Sequence, residues 1–134
     1  ALAAAKRAAV QFNTVVLLSG KVDLITDGQR SVAVYNGDPL MPYVTGTGCM
    51  QGAVAGTCLS VIDDPFDGAV AGAVLMGLAG EYAAAVADGS ISRFTGGLLD
   101  GLFAMDVKFI QESMRIEVLE GDYTPKNAQK GIEE

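Results

Sequence analysis

Apolar positions in residues 1–12 (ALAAAKRAAVQF) recur at helical spacing and stop at Asn13, which predicts an amphipathic helix or the tail of one. Residues 15–20 (VVLLSG) are a short apolar run rich in β-branched side chains and closed by a glycine. That pattern predicts a buried strand, of the kind found in parallel sheets. Residues 22–26 (VDLIT) alternate apolar and polar, Asp27-Gly28 is a hairpin turn signal, and residues 31–36 (SVAVYN) are the expected partner strand. After the loop at 38–43 and a glycine-rich turn, a small-residue apolar stretch predicts a helix over 49–61. Asp63-Asp64-Pro65 places acids and a proline where a helix begins, so a second helix is expected from there to Asp88-Gly89. A third helical stretch is expected over 95–119, and residues 121–134 form a polar tail. A helix and strand, a hairpin, and then helices make an α/β pattern.

Glycines four apart, Gly52 with Gly56 and Gly68 with Gly72, predict close approach of helix backbones. A membrane dimerisation motif is the weaker reading. The uncharged stretch from Asp38 to Asp63 is broken by Pro39, Pro42, Gly46 and Gly48, and the stretch from Gly68 to Gly80 is too short to span a bilayer. Half of the 134 residues are apolar, which suits one soluble domain with a core. A net charge of −7 argues against nucleic acid or an anionic membrane as partner. The absence of histidine excludes serine or cysteine triads built on histidine, and histidine metal sites, within this chain. Cys49 and Cys58 are nine residues apart on one expected helix. About 900° of rotation puts them on opposite faces, so free thiols in a reducing cytoplasm are expected.

The stretch from Val44 to Met50, VTGTGCM, carries the candidate chemistry. A lysine-based phosphate loop is excluded, because no lysine lies between Lys21 and Lys108. The dinucleotide fingerprint fails too, since Gly46, Gly48 and Gly52 are spaced one residue too far. No basic residue lies between Arg30 and Arg93, so any anion here depends locally on backbone N–H groups and the helix dipole. The pattern leaves two readings open: an anion hole, or a turn that admits the chain to a core helix. Cys49 sits where a helix N-terminus favours a thiolate, whereas mid-helix Cys58 reads as an inert small hydrophobe.

The segments LLSGKVDLITDG and NGDPLMPYVTGTGCMQGAVAG, from Leu17 and Asn36 onward, closely resemble the C-terminal half of hydroxyethylthiazole kinase. VTGTGC following the Ser19-Gly20-Lys21-Val22-Asp23 strand end is specific to that likeness. The resemblance implies the C-terminal half of a ribokinase-like three-layer α/β fold: strands, a β-hairpin, then packed helices. It implies transfer of the γ-phosphate of ATP to the primary alcohol of the thiazole in thiamine salvage, with Mg2+ required. It also implies a cytoplasmic homotrimer with active sites at subunit interfaces. By position, Gly46, Thr47, Gly48 and Cys49 would form the anion hole, with Gly46 also touching the thiazole. Cys49 stands where related sugar kinases carry an aspartate base, and Ser19 where the family usually has threonine at an ATP contact. The family's Gly-Pro-Gly-Ser-Phe segment is poorly matched by residues 88–94 (DGSISRF). The competing readings are a kinase of the hydroxymethylpyrimidine type, an ATP-dependent dehydratase of nicotinamide-nucleotide hydrates, or a fragment inactive alone. The first two carry GTGD at this motif, and cysteine at position 49 argues against them. An opening at Ala1 without methionine or cap predicts a piece of a longer chain, and the resemblance implies that the metal-linked carboxylates and much of the thiazole pocket lie before Ala1.

Overall fold

The computed structural model describes residues 1–125. Helix α1 (Leu2–Phe12) leads into β1 (Val16–Leu18), β2 (Asp23–Thr26) and β3 (Ser31–Val34). A 3-10 turn (Met41–Tyr43) precedes α2 (Thr47–Val61), α3 (Pro65–Ala87), α4 (Ile91–Ala104), α5 (Val107–Ser113) and β4 (Ile116–Glu120). The strands form one antiparallel sheet in the order β1-β2-β3-β4.

Pleat alternation sends Leu17, Ile25, Val32 and Val34 to one face, where they meet Phe66, Val70, Val74 and Leu78 of α3. The other face carries Ala33, fully covered, and Ser31, which lies opposite Glu120. Helix α1 packs on β1 and β2, and its Lys6 pairs with Glu120, so the sheet lies between α1 and α3. On its far side, α3 packs Met76, Ala79, Ala83 and Ala87 against Phe94 and Leu98 of α4. Apolar on all sides because it is enclosed, α3 has the length and composition to cross a bilayer, yet 61% of its most apolar stretch is covered by the protein.

The expected hairpin forms. Asp27 Oδ1 accepts from the N–H groups of Gln29 and Arg30, and Gly28 takes φ +95° at the turn. The expected start of α3 also holds: Asp64 accepts from the Phe66 N–H at 2.9 Å, with Pro65 in the first turn.

Three expectations fail for physical reasons. The 15–20 strand is not buried in a parallel pair: β1 sits at the sheet edge, half-exposed, and its partner among the described residues is antiparallel β2. The helix expected over 95–119 is instead α4, α5 and β4. Asp106 caps a new helix by accepting from the Phe109 N–H at 2.8 Å, and the chain then turns back to pair Ile116 with Val34. Sheet closure outcompetes helix continuation there. In the expected tail, Tyr123 is half-buried with its ring edge on Phe66 at 5.3 Å between centroids. The remainder of that tail, 126–134, lies outside the described residues.

Candidate functional site

The turn before α2 is built by the 3-10 segment. Met41 lies against α3, where a Cβ on Gly80 would come within 2.5 Å of its sulfur. Thr47 Oγ1 donates to the carbonyls of Met41 and Val44 at 3.2 Å each, tying the start of α2 to that anchored segment. Gly46 then takes φ +97° and ψ −2°, a conformation that an L side chain adopts only under strain, and opens the helix.

No side chain caps α2. The first intrahelical bond from outside the helix runs from the Met50 N–H to the Gly46 carbonyl at 2.8 Å. Among the described residues, the N–H groups of Gly48 and Cys49 find no acceptor. These are the donors that a helix N-terminus leaves for an anion. The space above them is open: a Cβ added at Gly46 or Gly48 meets nothing within 4 Å. Cys49 is exposed in the first turn. Cys58 is buried on the opposite face, and burial pushes its thiol up. The two cysteines therefore occupy the two sides of α2 that their spacing predicts.

The expectation that Gly52 and Gly56 pack closely against a helix is not met, because a Cβ at either position meets nothing within 4 Å. Gly68 and Gly72 do meet it, with hypothetical Cβ atoms at 2.9 Å from Leu59 Cδ2 and 2.6 Å from Ala55 Cα. The close face of α2 is thus the one bearing Ala55, Cys58 and Gln51, and the glycine face is open.

Ser19 lies exposed in the turn between β1 and β2. It makes no hydrogen bond to the 46–49 turn. The link runs through its neighbour: the Gly20 N–H donates to Asp23 Oδ1 at 2.9 Å, and Gln51 Nε2 donates to Asp23 Oδ2. Both Asp23 and Gln51 are buried, and neither stood out as a site residue in the sequence. A lone amide in the uncharged run of small residues at 39–62 was the available signal for Gln51. Arg93 makes a 3.7 Å pair with Asp88, both exposed, the geometry of a solvated charge. Shallow depressions lined by Lys6, Arg7 and Val10, and by Asn13, Val15 and Pro65, lie away from this turn. The turn is an open rim. Among the described residues no three acidic or cysteine side chains come together to hold a metal ion.

Residues 1–108 match the profile of the hydroxyethylthiazole kinase family. A hydroxyethylthiazole kinase of Methanobrevibacter smithii is 36% identical over 114 residues, covering 83% of this chain and 39% of the relative. The enzyme of Ruminiclostridium cellulolyticum is 41% identical over 117 residues, 86% of this chain and 42% of its own length. The solved structure of the Pyrococcus horikoshii hydroxyethylthiazole kinase superposes with a TM-score of 0.82 at 35% identity, over 87% of this chain and 45% of that one. The chain therefore spans about two fifths of the length of the curated relatives it matches.

Proposed function

This chain belongs to the hydroxyethylthiazole kinase family, and from that premise we propose that it contributes the phosphate-binding part of an ATP-dependent kinase acting on the primary alcohol of hydroxyethylthiazole, in thiamine salvage in the cytoplasm. The observation that carries the proposal is the uncapped start of α2, where the Gly48 and Cys49 N–H groups lack acceptors under open space. Phosphoryl transfer spreads charge over the equatorial oxygens, and fixed donors placed where that charge develops do most of the catalysis. The 46–49 turn supplies such donors without reorganisation, because Thr47 and Gly46 already hold its backbone. Cys49 accepts the alcohol proton as the alcohol oxygen bonds to phosphorus and the bond to the ADP oxygen breaks. Ser19 contacts the nucleotide and Gly46 the thiazole.

Mg2+ finds no donor set among the described residues, so no step is assigned to it here. The chain acts as one partial domain, the C-terminal half of the kinase. The sequence its relatives carry outside the matched region completes the site in a homotrimer.

The test is phosphorylation by the protein with ATP and Mg2+, offered hydroxyethylthiazole or hydroxymethylpyrimidine as acceptor. A preference of about 100-fold for the thiazole alcohol is expected, and a preference for the pyrimidine alcohol overturns the substrate. In the same assay Gly48→Val, whose side chain fills the open space over the Gly48 and Cys49 N–H groups and keeps the phosphate from them, lowers kcat by about 10²–10³-fold, the usual effect of losing an oxyanion-type contact. Cys49→Ser costs about tenfold, below the common range for acid–base groups, because a thiolate is a weak base toward an alcohol. Full activity in both variants removes both roles.

A further inference from the structure

Asp23 opens β2 and is only 8% exposed. Its two carboxylate oxygens serve two different elements. Oδ1 accepts from the Gly20 N–H in the turn after β1, and Oδ2 accepts from Nε2 of Gln51 on α2. Gln51, 9% exposed, lies two positions after Cys49, so about 200° of helix rotation turns it inward when Cys49 faces out. A carboxylate in this position works against an anion bound on the other side of α2. Burial also pushes the Asp23 carboxyl above its ordinary value, and the bonds from Gly20 and Gln51 offset only part of that cost. Attraction of the phosphate is therefore not its purpose. It joins the Ser19 turn to the first turns of α2, and no other hydrogen bond among the described residues does so.

We infer that Asp23 is a positioning residue for phosphoryl transfer, which with Gln51 holds the Ser19-Gly20 turn and the 46–49 turn at one fixed spacing. The inference rests on the kinase reading above. Asp23 touches neither nucleotide nor acceptor in this role. It sets the distance between two groups that both do, and small errors in such spacing are costly.

The pair can be inverted. Asn at position 23 keeps an acceptor for the Gly20 N–H and presents Nδ2 to a carboxylate at position 51. Binding of a non-hydrolysable ATP analogue by titration calorimetry, with the melting midpoint recorded beside it, reads the effect independently of the acceptor alcohol. Asp23→Ala and Gln51→Glu are each expected to weaken the analogue about tenfold or more, as loss of a hydrogen bond to a charged group predicts. Asp23→Asn combined with Gln51→Glu is expected to return it to within about threefold of the unmodified protein. Should Asp23→Ala fail to fold, Gln51→Met removes the donor at similar volume, and the same weakening is expected. Unchanged affinity in Gln51→Met or in a folded Asp23→Ala overturns the inference. So does a double variant that melts normally but does not recover binding. An unmodified protein that binds no analogue overturns it as well. A protein that binds the analogue but prefers a pyrimidine alcohol overturns only the substrate, and leaves this result standing.

Discussion

Helices α2 and α3 follow each other in the chain, are both rich in glycine, and begin in opposite ways. The start of α3 is closed. Asp64 caps it, Pro65 lacks the N–H that would need a partner, and Arg30 pairs with Asp64 at 2.8 Å while lying over the Phe66 ring at 4.3 Å. The start of α2 is open, with a left-handed glycine in place of a capping side chain. The glycine faces differ in the same sense. Those of α3 are spaces that neighbours fill to contact, whereas Gly48, Gly52 and Gly56 of α2 face nothing. Spacing alone reports that backbone is bare. What stands opposite decides whether that bareness serves packing or access.

Substituting the glycines gives the largest test of this contrast. A Cβ on Gly77 would lie 2.6 Å from the Asn36 carbonyl oxygen and 2.7 Å from its carbonyl carbon, and this backbone has little room to move. Asn36 is held in turn by Glu81 and Ser113, at 3.1 and 3.0 Å. Gly77→Ala is expected to destabilise by about 3 kcal/mol, at the upper end for overpacking, and Gly72→Ala by about 2 kcal/mol. Gly52→Ala and Gly56→Ala are expected to stabilise by about 0.5–1 kcal/mol, the helix-propensity difference. Urea unfolding midpoints measure all four. If the α2 substitutions cost as much as those in α3, the glycine face of α2 is covered in solution and the contrast is broken.

Gly46→Ala tests the open start itself. The substitution places a Cβ in free space but on a backbone at φ +97°, so strain is its only cost, about 1–2 kcal/mol. If the turn relaxes toward ordinary φ to escape that strain, the first-turn N–H groups turn with it. Phosphoryl transfer should then fall by more than the unfolding midpoint accounts for. A variant with normal stability and normal kcat shows that the geometry of this turn does not matter.

Much of this contrast is legible in the amino-acid sequence. Asp27-Gly28 made the hairpin and Asp63-Asp64-Pro65 made the start of α3, because each is local chemistry that does not depend on distant partners; VTGTGCM marked a special turn by the same local chemistry but left an anion hole and a plain helix entry both open. β4 was not legible. Ile116 earns strand geometry only by lying beside Val34, far away in the chain, and that pairing has no local signature. The break between α4 and α5 was readable in principle, since Asp106 is an ordinary capping residue; sustained apolar spacing across it masked the cap. The glycine pairs misled in one case of two, because Gly52 and Gly68 carry the same pattern into opposite surroundings. The Asp23 and Gln51 contact was invisible for the same reason as β4: one partner is on a strand, the other on a helix, and only the fold brings them together.

The smallest effect distinguishes the two helix starts by pH. Burial raises the Asp27 carboxyl, but hydrogen bonds from the backbone and side chain of Arg30 and from the Gln29 N–H outweigh it, and the net shift is below the ordinary 3.8. A carboxylate whose folded value is lowered binds its proton more weakly than in the unfolded chain. Its contribution is therefore present above 3.8 and is lost as pH falls through the folded value. Asp27 orients Arg30 toward Asp64, so this contribution belongs to the capped start of α3. Asp27→Asn is expected to cost less than about 1 kcal/mol at pH 7, given its position near the surface. The gap to the unmodified protein should narrow as unfolding is followed below pH 3.8. The gap produced by Gly46→Ala arises from backbone strain, contains no proton, and should stay constant over the same titration. If the Asp27→Asn gap also stays constant, the start of α3 is not held by charge, and the two helix ends are more alike than their geometry indicates.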